Sequence, residues 1–164
     1  MRANKKVIVC VGRPGEGKTT GIKTMFPPPA WVWDKHGEYE EEGYQDFFNP
    51  KIQESIDFAY TLRDCDIIFE EASTFMSNRR GLPPQIDEMI NDKRHRNINL
   101  CFVFHQIAKI PGDLLGHTDI LILYKTQDVF DIVRKKFTYW EGLLDRYEKL
   151  KLSPKHSYIV YDRT

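Results

Sequence analysis

Long apolar runs are missing from this sequence. No stretch approaches the ~20 residues that cross a bilayer. The charged start, "MRANKK", is followed by only a few apolar residues before Gly12. Neither a membrane-spanning helix nor a secretory leader is expected. An excess of one charge is missing too, since 24 Lys and Arg balance 24 Asp and Glu. That argues against a surface coated in basic charge for nucleic acid, but not against a local patch. Cysteine is scarce. Cys10, Cys65 and Cys101 each sit in an apolar segment, without metal-ligand spacing. They read as buried thiols in a reducing compartment. No internal repeat or low-complexity segment is evident. What is present is 164 residues, 41% hydrophobic and 29% charged. That suits one soluble globular domain over 1–164 with a substantial core.

The apolar segments alternate in type. Lys6 to Val11 is continuous rather than alternating, as in a strand buried on both faces. A helix should open near Gly17 and end before the prolines at 27–29. "AWVWD" (30–34), "DIIF" (66–69), "INLCFVFH" (98–105), "DILILYK" (119–125) and "SYIVYD" (157–162) read as further strands. Between them, helical spacing appears around Ile52 to Tyr60, over residues 84–94, from Val129 to Phe137 and from Trp140 to Tyr147. Strands alternating with helices predict an α/β sandwich with a mostly parallel central sheet. Ligands of such sheets gather at the carboxyl ends of the strands.

The segment "VGRPGEGKTT" follows the first strand and opens the first helix. Gly12-x4-Gly17-Lys18-Thr19 is a complete P-loop pattern in the context the motif requires. Its glycines let backbone N–H groups curl around phosphate oxygens, and the helix N-terminus adds partial positive charge. Gly12, Arg13, Pro14, Gly15, Glu16, Gly17, Lys18, Thr19 and Thr20 are the candidate nucleotide contacts. Lys18 reaches the β- and γ-phosphates, and the Thr19 hydroxyl is a Mg2+ ligand. The strand "DIIF" runs into two adjacent acids, Glu70 and Glu71. In P-loop proteins the acid ending such a strand serves the metal, here Glu70 beside Thr19. A second acid can polarise an attacking water, a role assigned to Glu71. This arrangement suits hydrolysis of ATP. The strand "FVFHQ" ends in His105 and Gln106; an amide there can touch the γ-phosphate or the water, or simply start a loop.

The order P-loop, "WDKHGEY", "IIFEEAS", "KRHRNINLCFVFHQIAKIP" resembles the HerA–FtsK superfamily of DNA-pumping ATPases. Asp34, His36, Gly37 and Glu38 match the second-strand signature of HerA-type proteins. The stretch from Lys125 to Asp162 is similar to the C-terminal part of viral genome-packaging members. The resemblance implies a three-layer RecA/ASCE-like P-loop NTPase with strand four between the P-loop and Walker B strands. It implies Gln106 as a γ-phosphate sensor. It also implies a ring, pentameric or hexameric, in which an arginine of one subunit, Arg94 or Arg96, completes the site of the next. The function then expected is a Mg2+-dependent ATPase that pumps double-stranded DNA, docked at a capsid vertex or portal. It would work in the host cytoplasm or with the virion, without a membrane.

The loop "TFMSNRRGLPPQ" (74–85) carries Arg79 and Arg80. In a ring it could point into the pore and meet DNA phosphates, multiplied by the number of subunits. The basic run "RKK" (134–136) reads as a solvated helix face. His117 and His156 show no partner spacing. Trp31, Trp33 and Trp140 read as core. Two other functions fit parts of the pattern. One is a nucleotide-controlled phage assembly or secretion factor of the zonula-occludens-toxin type, which typically has a membrane anchor not seen in this chain. The other is a small-molecule kinase, against which stands the absence of an arginine-rich lid.

Overall fold

The first strand, β1 (Val7–Val11), is buried at every position, as its unbroken apolar run requires. It lies inside a seven-stranded sheet. The other strands are β2 (Ala30–Trp33), β3 (Tyr44–Asp46), β4 (Asp66–Phe69), β5 (Asn99–Phe104), β6 (Ile120–Tyr124) and β7 (Tyr158–Asp162). Their spatial order is β3-β2-β4-β5-β1-β6-β7. All neighbours pair in parallel except β6 and β7, which are antiparallel. The computed structural model describes residues 5–41 and 43–164. Residues 1–4 of the charged start and Glu42 of the acidic run 37–46 lie outside the described residues.

Alternate residues of β1 enter opposite layers, as strand geometry dictates. Ile8 and Cys10 face α1 (Lys18–Met25), whose Ile22 joins them in one apolar cluster with Ile68, Val103 and Ile122. Val7, Val9 and Val11 face the other side. There the sheet packs against α2 (Ile52–Thr61), α3 (Pro84–Asn91), α5 (Gly112–His117), α6 (Phe130–Lys136) and α7 (Leu143–Lys151). A short α4 (Lys93–Arg96) leads into β5. This is the three-layer α/β P-loop fold, with β5 between the P-loop strand β1 and the acid-bearing strand β4.

Several sequence expectations need correction. β3 was missed because "YQD" is three residues long and polar, and it holds only the edge of the sheet. Helix 84–94 is two helices, since Asp92 leaves helical geometry between α3 and α4. Cys10 and Cys101 are buried, but Cys65 is half-exposed. Lys136 is not a solvated charge: it is half-buried and donates to Asn78 Oδ1 and the Ile110 carbonyl. That bond ties α6 to the loop 77–81.

Candidate nucleotide and metal site

The P-loop leaves β1 at Gly12 and is clamped on both sides. Gly12 N–H donates to the Phe104 carbonyl at 3.1 Å and Arg13 N–H to the Lys125 carbonyl at 2.8 Å. A Cβ on Gly12 would come within 2.5 Å of Tyr124 Cβ, so only glycine lets the chain pass here. Gly15 and Gly17 take positive φ, 83° and 95°, which curls the loop. The first helical bond of α1 runs from Gly21 N–H to the Gly17 carbonyl. The backbone N–H groups of Gly15 to Thr20 donate to no acceptor among the described residues. They surround a cleft of about 330 Å³ lined by Pro14, Gly15, Lys18, Thr19, Glu70 and His105, among others. Such a ring of free donors at a helix start is an anion cradle.

Lys18 is 6% exposed, and its ammonium donates to the Arg13 carbonyl at 3.0 Å. Burial lowers its pKa, against the pull of neighbouring Cys10 and Glu70. A phosphate would supply the counter-charge it lacks. Glu16 turns the other way. Its carboxylate is buried, accepts from Arg13 Nε at 2.6 Å and from His156 N–H at 3.4 Å, and so fastens the loop 154–157 to the P-loop. The side chains of Arg13 and Glu16 therefore brace the loop and do not line the cleft.

The acids arrive from the neighbouring strand ends. Glu70, just past β4, places Oε1 at 3.3 Å from Thr19 Oγ1. Glu38 Oε2 lies at the same distance from that hydroxyl. One hydroxyl proton serves only one of the two carboxylates. Glu70 is 6% exposed, and burial pushes its pKa up to about 7; Glu38 adds to the rise, while the Tyr39 bond, Lys18 and Thr19 oppose it. Two carboxylates and a hydroxyl meeting at one point form a hard oxygen set that suits Mg2+. Among the described residues no group of three or more His, Cys, Asp or Glu could hold a metal by itself. A P-loop metal needs none, because phosphates and water complete its shell.

The segment "DKHGEY" builds this cluster. The buried Asp34 carboxylate accepts from Glu38 N–H and Tyr39 N–H, both at 2.9 Å, and Gly37 supplies a positive φ. The resulting turn aims two side chains at the acids and a third at Thr19. Tyr39 Oη donates to Glu70 Oε2 at 2.6 Å, and Glu38 reaches Thr19. His36 Nε2 lies 2.8 Å from Glu71 Oε1. Sequence reasoning marked Asp34, His36, Gly37 and Glu38 only through resemblance. It missed Tyr39, whose partner lies 31 positions away.

Other assignments move. His105, not Gln106, lines the cleft; Gln106 is exposed one residue further on. β5 ends at Phe104, so the strand tip is one position earlier than the sequence suggested. His105 Nδ1 is buried without a hydrogen-bond partner among the described residues; burial and then Lys18 lower the pKa of the ring, against Glu71 and the Gly12 backbone. His156 also lines the cleft, with no sequence signal, because Glu16 holds it from 140 positions away. Arg96, expected at a neighbouring subunit's site, is buried within its own chain. It is 4% exposed, its Nη1 donates to the Tyr60 carbonyl at 2.7 Å, and its guanidinium lies 4.3 Å from the centre of the Tyr60 ring. Asp92 and Glu88 flank it at 3.3 and 3.7 Å. Arg94 is exposed, at the amino end of the parallel strands and away from its own P-loop. Arg79 and Arg80 are exposed at the tip of a tight turn closed by a Ser77–Gly81 bridge.

A phosphate cradle, a threonine hydroxyl and strand-end acids on this sheet order define a P-loop NTPase fold. Its likeness to solved structures is narrower. The genome packaging NTPase B204 from Sulfolobus turreted icosahedral virus 2, in complex with AMPPCP, superposes with TM-score 0.78 at 18% identity, covering 98% of this chain and 94% of that one. B204 from Sulfolobus turreted icosahedral virus, described as a DNA-packaging ATPase, gives TM-score 0.69 at 15% identity, over 98% and 94% of the two chains. The N-terminal domain of zonular occludens toxin from Neisseria meningitidis gives 0.55 at 12%, over 76% and 79%. No protein-family model matches the sequence, and neither does any curated protein.

Proposed function

We propose that this protein is an ATP-hydrolysing motor that moves double-stranded DNA, working as a ring that packages a viral genome. The observation that carries the reading is the contact of Thr19 with Glu70, with Glu71 alongside on the same strand end. A kinase does not need a second acid there; a hydrolase does. The likeness to packaging NTPases over nearly the whole chain supports DNA as the cargo. No helix among the described residues is long and apolar enough to cross a membrane.

In this reading the N–H groups of the P-loop and Lys18 hold the β- and γ-phosphates and stabilise charge that develops on them. Lys18 exchanges the Arg13 carbonyl for phosphate oxygen. Thr19 and Glu70 would hold Mg2+, whose charge would offset that of the phosphates. Glu71 orients the attacking water and takes its proton. His36 fixes the carboxylate of Glu71. The unpartnered Nδ1 of His105 meets a γ-phosphate oxygen, the task first given to Gln106. Arg94 is the remaining candidate for a residue supplied to the next subunit. Arg79 and Arg80 meet DNA from their turn. The HerA–FtsK assignment belongs to the same proposal and rests on "DKHGEY" and the strand order.

ATP hydrolysis measured against protein concentration, with and without long double-stranded DNA, tests this, with Glu71→Gln as the blank. A rate that climbs steeply with concentration and is stimulated by DNA supports a ring motor. A flat, DNA-indifferent rate refutes it and favours a nucleotide-gated assembly factor, which the likeness to the toxin domain keeps in view. Lys18→Ala should abolish nucleotide binding; unchanged affinity would remove the P-loop assignment.

A further inference from the structure

The turn that carries Arg79 and Arg80 is held to the body of the protein through one side chain. Upstream, the single turn Ala72–Thr74 and the buried Phe75 and Met76 anchor the chain that leaves Glu71. Beyond Met76 the turn closes on itself, through the Ser77–Gly81 bridge and a bond from Arg80 N–H to Ser77 Oγ at 3.2 Å. Among the described residues, the hydrogen bonds that residues 78–80 make outside the turn all belong to the Asn78 side chain. Its Nδ2 donates to the Ala108 carbonyl, and its Oδ1 accepts from Lys136 Nζ. The amide thus uses its donor and its acceptor at once, each on a different segment. Beside it a space of about 290 Å³, lined also by Ala108, Ile132 and Lys135, gives the turn room for a second position.

Ala108 leads straight back to the cleft. It follows His105 in one short stretch, and His105 lines the cleft with its buried, unpartnered Nδ1. Just before His105, β5 is fixed to the P-loop by the bond from Gly12 N–H to the Phe104 carbonyl at 3.1 Å. Just after it, the Asp128 carboxylate accepts from Ile107 N–H at 2.7 Å and from Ala108 N–H at 3.0 Å. Asp128 and the turn Ile107–Lys109 therefore move as one piece, and Asp128 sits in the irregular connection between β6 and α6. We propose that Asn78 is a positioning residue that couples the cleft to the Arg79–Arg80 turn. In one state Asn78 holds Ala108 and clamps the turn. In the other, a γ-phosphate takes Nδ1 of His105, the stretch 105–108 shifts, Ala108 leaves Asn78, and the turn swings clear with both arginines. The nucleotide gains its contact at His105 in the second state alone, which is the differential affinity that such a shift requires. The inference rests on the reading of the cleft as a nucleotide site and does not depend on DNA as the cargo.

The test is limited proteolysis of the full chain by trypsin, which cuts after Arg79 and Arg80, read at those bonds by mass spectrometry. Cutting of a segment that opens and closes rapidly tracks the population of its open form. AMPPCP with Mg2+ should speed cutting of the unmodified chain about tenfold, within the usual range of coupling between sites. ADP, which has no γ-phosphate, should not. Asn78→Ala should be cut fast with or without AMPPCP. Asn78→Asp keeps the acceptor for Lys136 and loses the donor for Ala108, and should behave in the same way. His105→Ala should be cut slowly in both conditions. Because coupling is reciprocal, Asn78→Ala should also bind AMPPCP more tightly in calorimetric titration, by about the same factor. Cutting of the unmodified chain that does not respond to saturating AMPPCP, or responds equally to ADP, would overturn the coupling and leave the nucleotide site standing. So would an Asn78→Ala chain that still responds. AMPPCP that fails to bind the unmodified chain would overturn the nucleotide reading itself, and this inference with it.

Discussion

Replacing Glu70 with glutamine should make the protein more stable and catalytically dead. The carboxylate is held at a pKa of about 7 against an ordinary 4.5, chiefly by burial and then by Glu38. A raised folded-state pKa means the native fold favours the protonated form. The stability linked to that proton is fully present below the unfolded pKa of about 4.5 and is lost as pH rises through about 7. A gap of about 2.5 units corresponds to roughly 3 kcal/mol. Glu70→Gln keeps the shape and removes the charge. It should therefore be close to neutral at pH 5 and stabilising by up to about 3 kcal/mol at pH 8. Urea unfolding at both pH values, without nucleotide or Mg2+, reads this difference directly, because contributions common to both proteins cancel. Adding Mg2+ should stabilise the parent protein at pH 8 and narrow the gap. A variant no more stable than the parent at pH 8, or one that gains as much at pH 5, would refute the account of Glu70 as a buried, strained acid waiting for a cation.

Arg96→Ala should lower unfolding stability by about 2 kcal/mol, through lost packing and the Tyr60 contact. The cost stays modest because Asp92 and Glu88 face solvent and rehydrate. Arg94→Ala should leave urea unfolding unchanged and lower hydrolysis only at concentrations that form rings; hydrolysis unchanged at those concentrations would refute a shared role for Arg94. His36→Ala should cut kcat about tenfold or more by freeing Glu71, with ATP affinity intact, and His36→Gln should recover part of the rate. A shifted ATP Kd with unchanged kcat would place His36 in binding instead. Asp34→Ala should uncouple Glu38 and Tyr39 from the P-loop, read as a lost Mg2+ dependence of nucleotide affinity; retained dependence would show that the turn holds its shape without the carboxylate.

How far the sequence reveals this site depends on the range of each interaction. The P-loop was legible because its parts are contiguous: a buried strand, three glycines with fixed work, Lys18 and Thr19. Glu70 was legible because an apolar strand ending in an acid is a local pattern as well. The fold class followed from alternating strands and helices; β3, a polar edge of three residues, and α5, a helix of six, escaped. The cleft-lining residue after β5 is His105 and not Gln106 because strand ends are set by pairing, and β5 stops where β1 stops, at the Val11–Phe104 register. The burial of Arg96 was not legible because charge says nothing of burial; the Tyr60 ring that covers it lies on another helix. His156 left no mark at all, since its place depends on Glu16, whose carboxylate looks like a phosphate-loop residue and acts as a brace.

The braces share one logic. Asp34, Glu16 and Arg96 are buried charged groups that touch no substrate in the proposed mechanism, and each holds a turn, loop or helix end in place. Asp34 sets the turn that positions Glu38, Tyr39 and His36. Glu16 sets the loop that carries His156. Both carboxylates accept backbone N–H bonds, which fix the main chain and leave the neighbouring side chains free to face the cleft. In the proposed mechanism, chemistry near the γ-phosphate thus depends on residues drawn from four strand ends, β1, β2, β4 and β5. The turn after β2 then acts on the rate and the P-loop on the grip. A substitution at His36 should slow cleavage and leave nucleotide affinity in place; a variant that moved both together would show that the turn and the P-loop form one coupled unit.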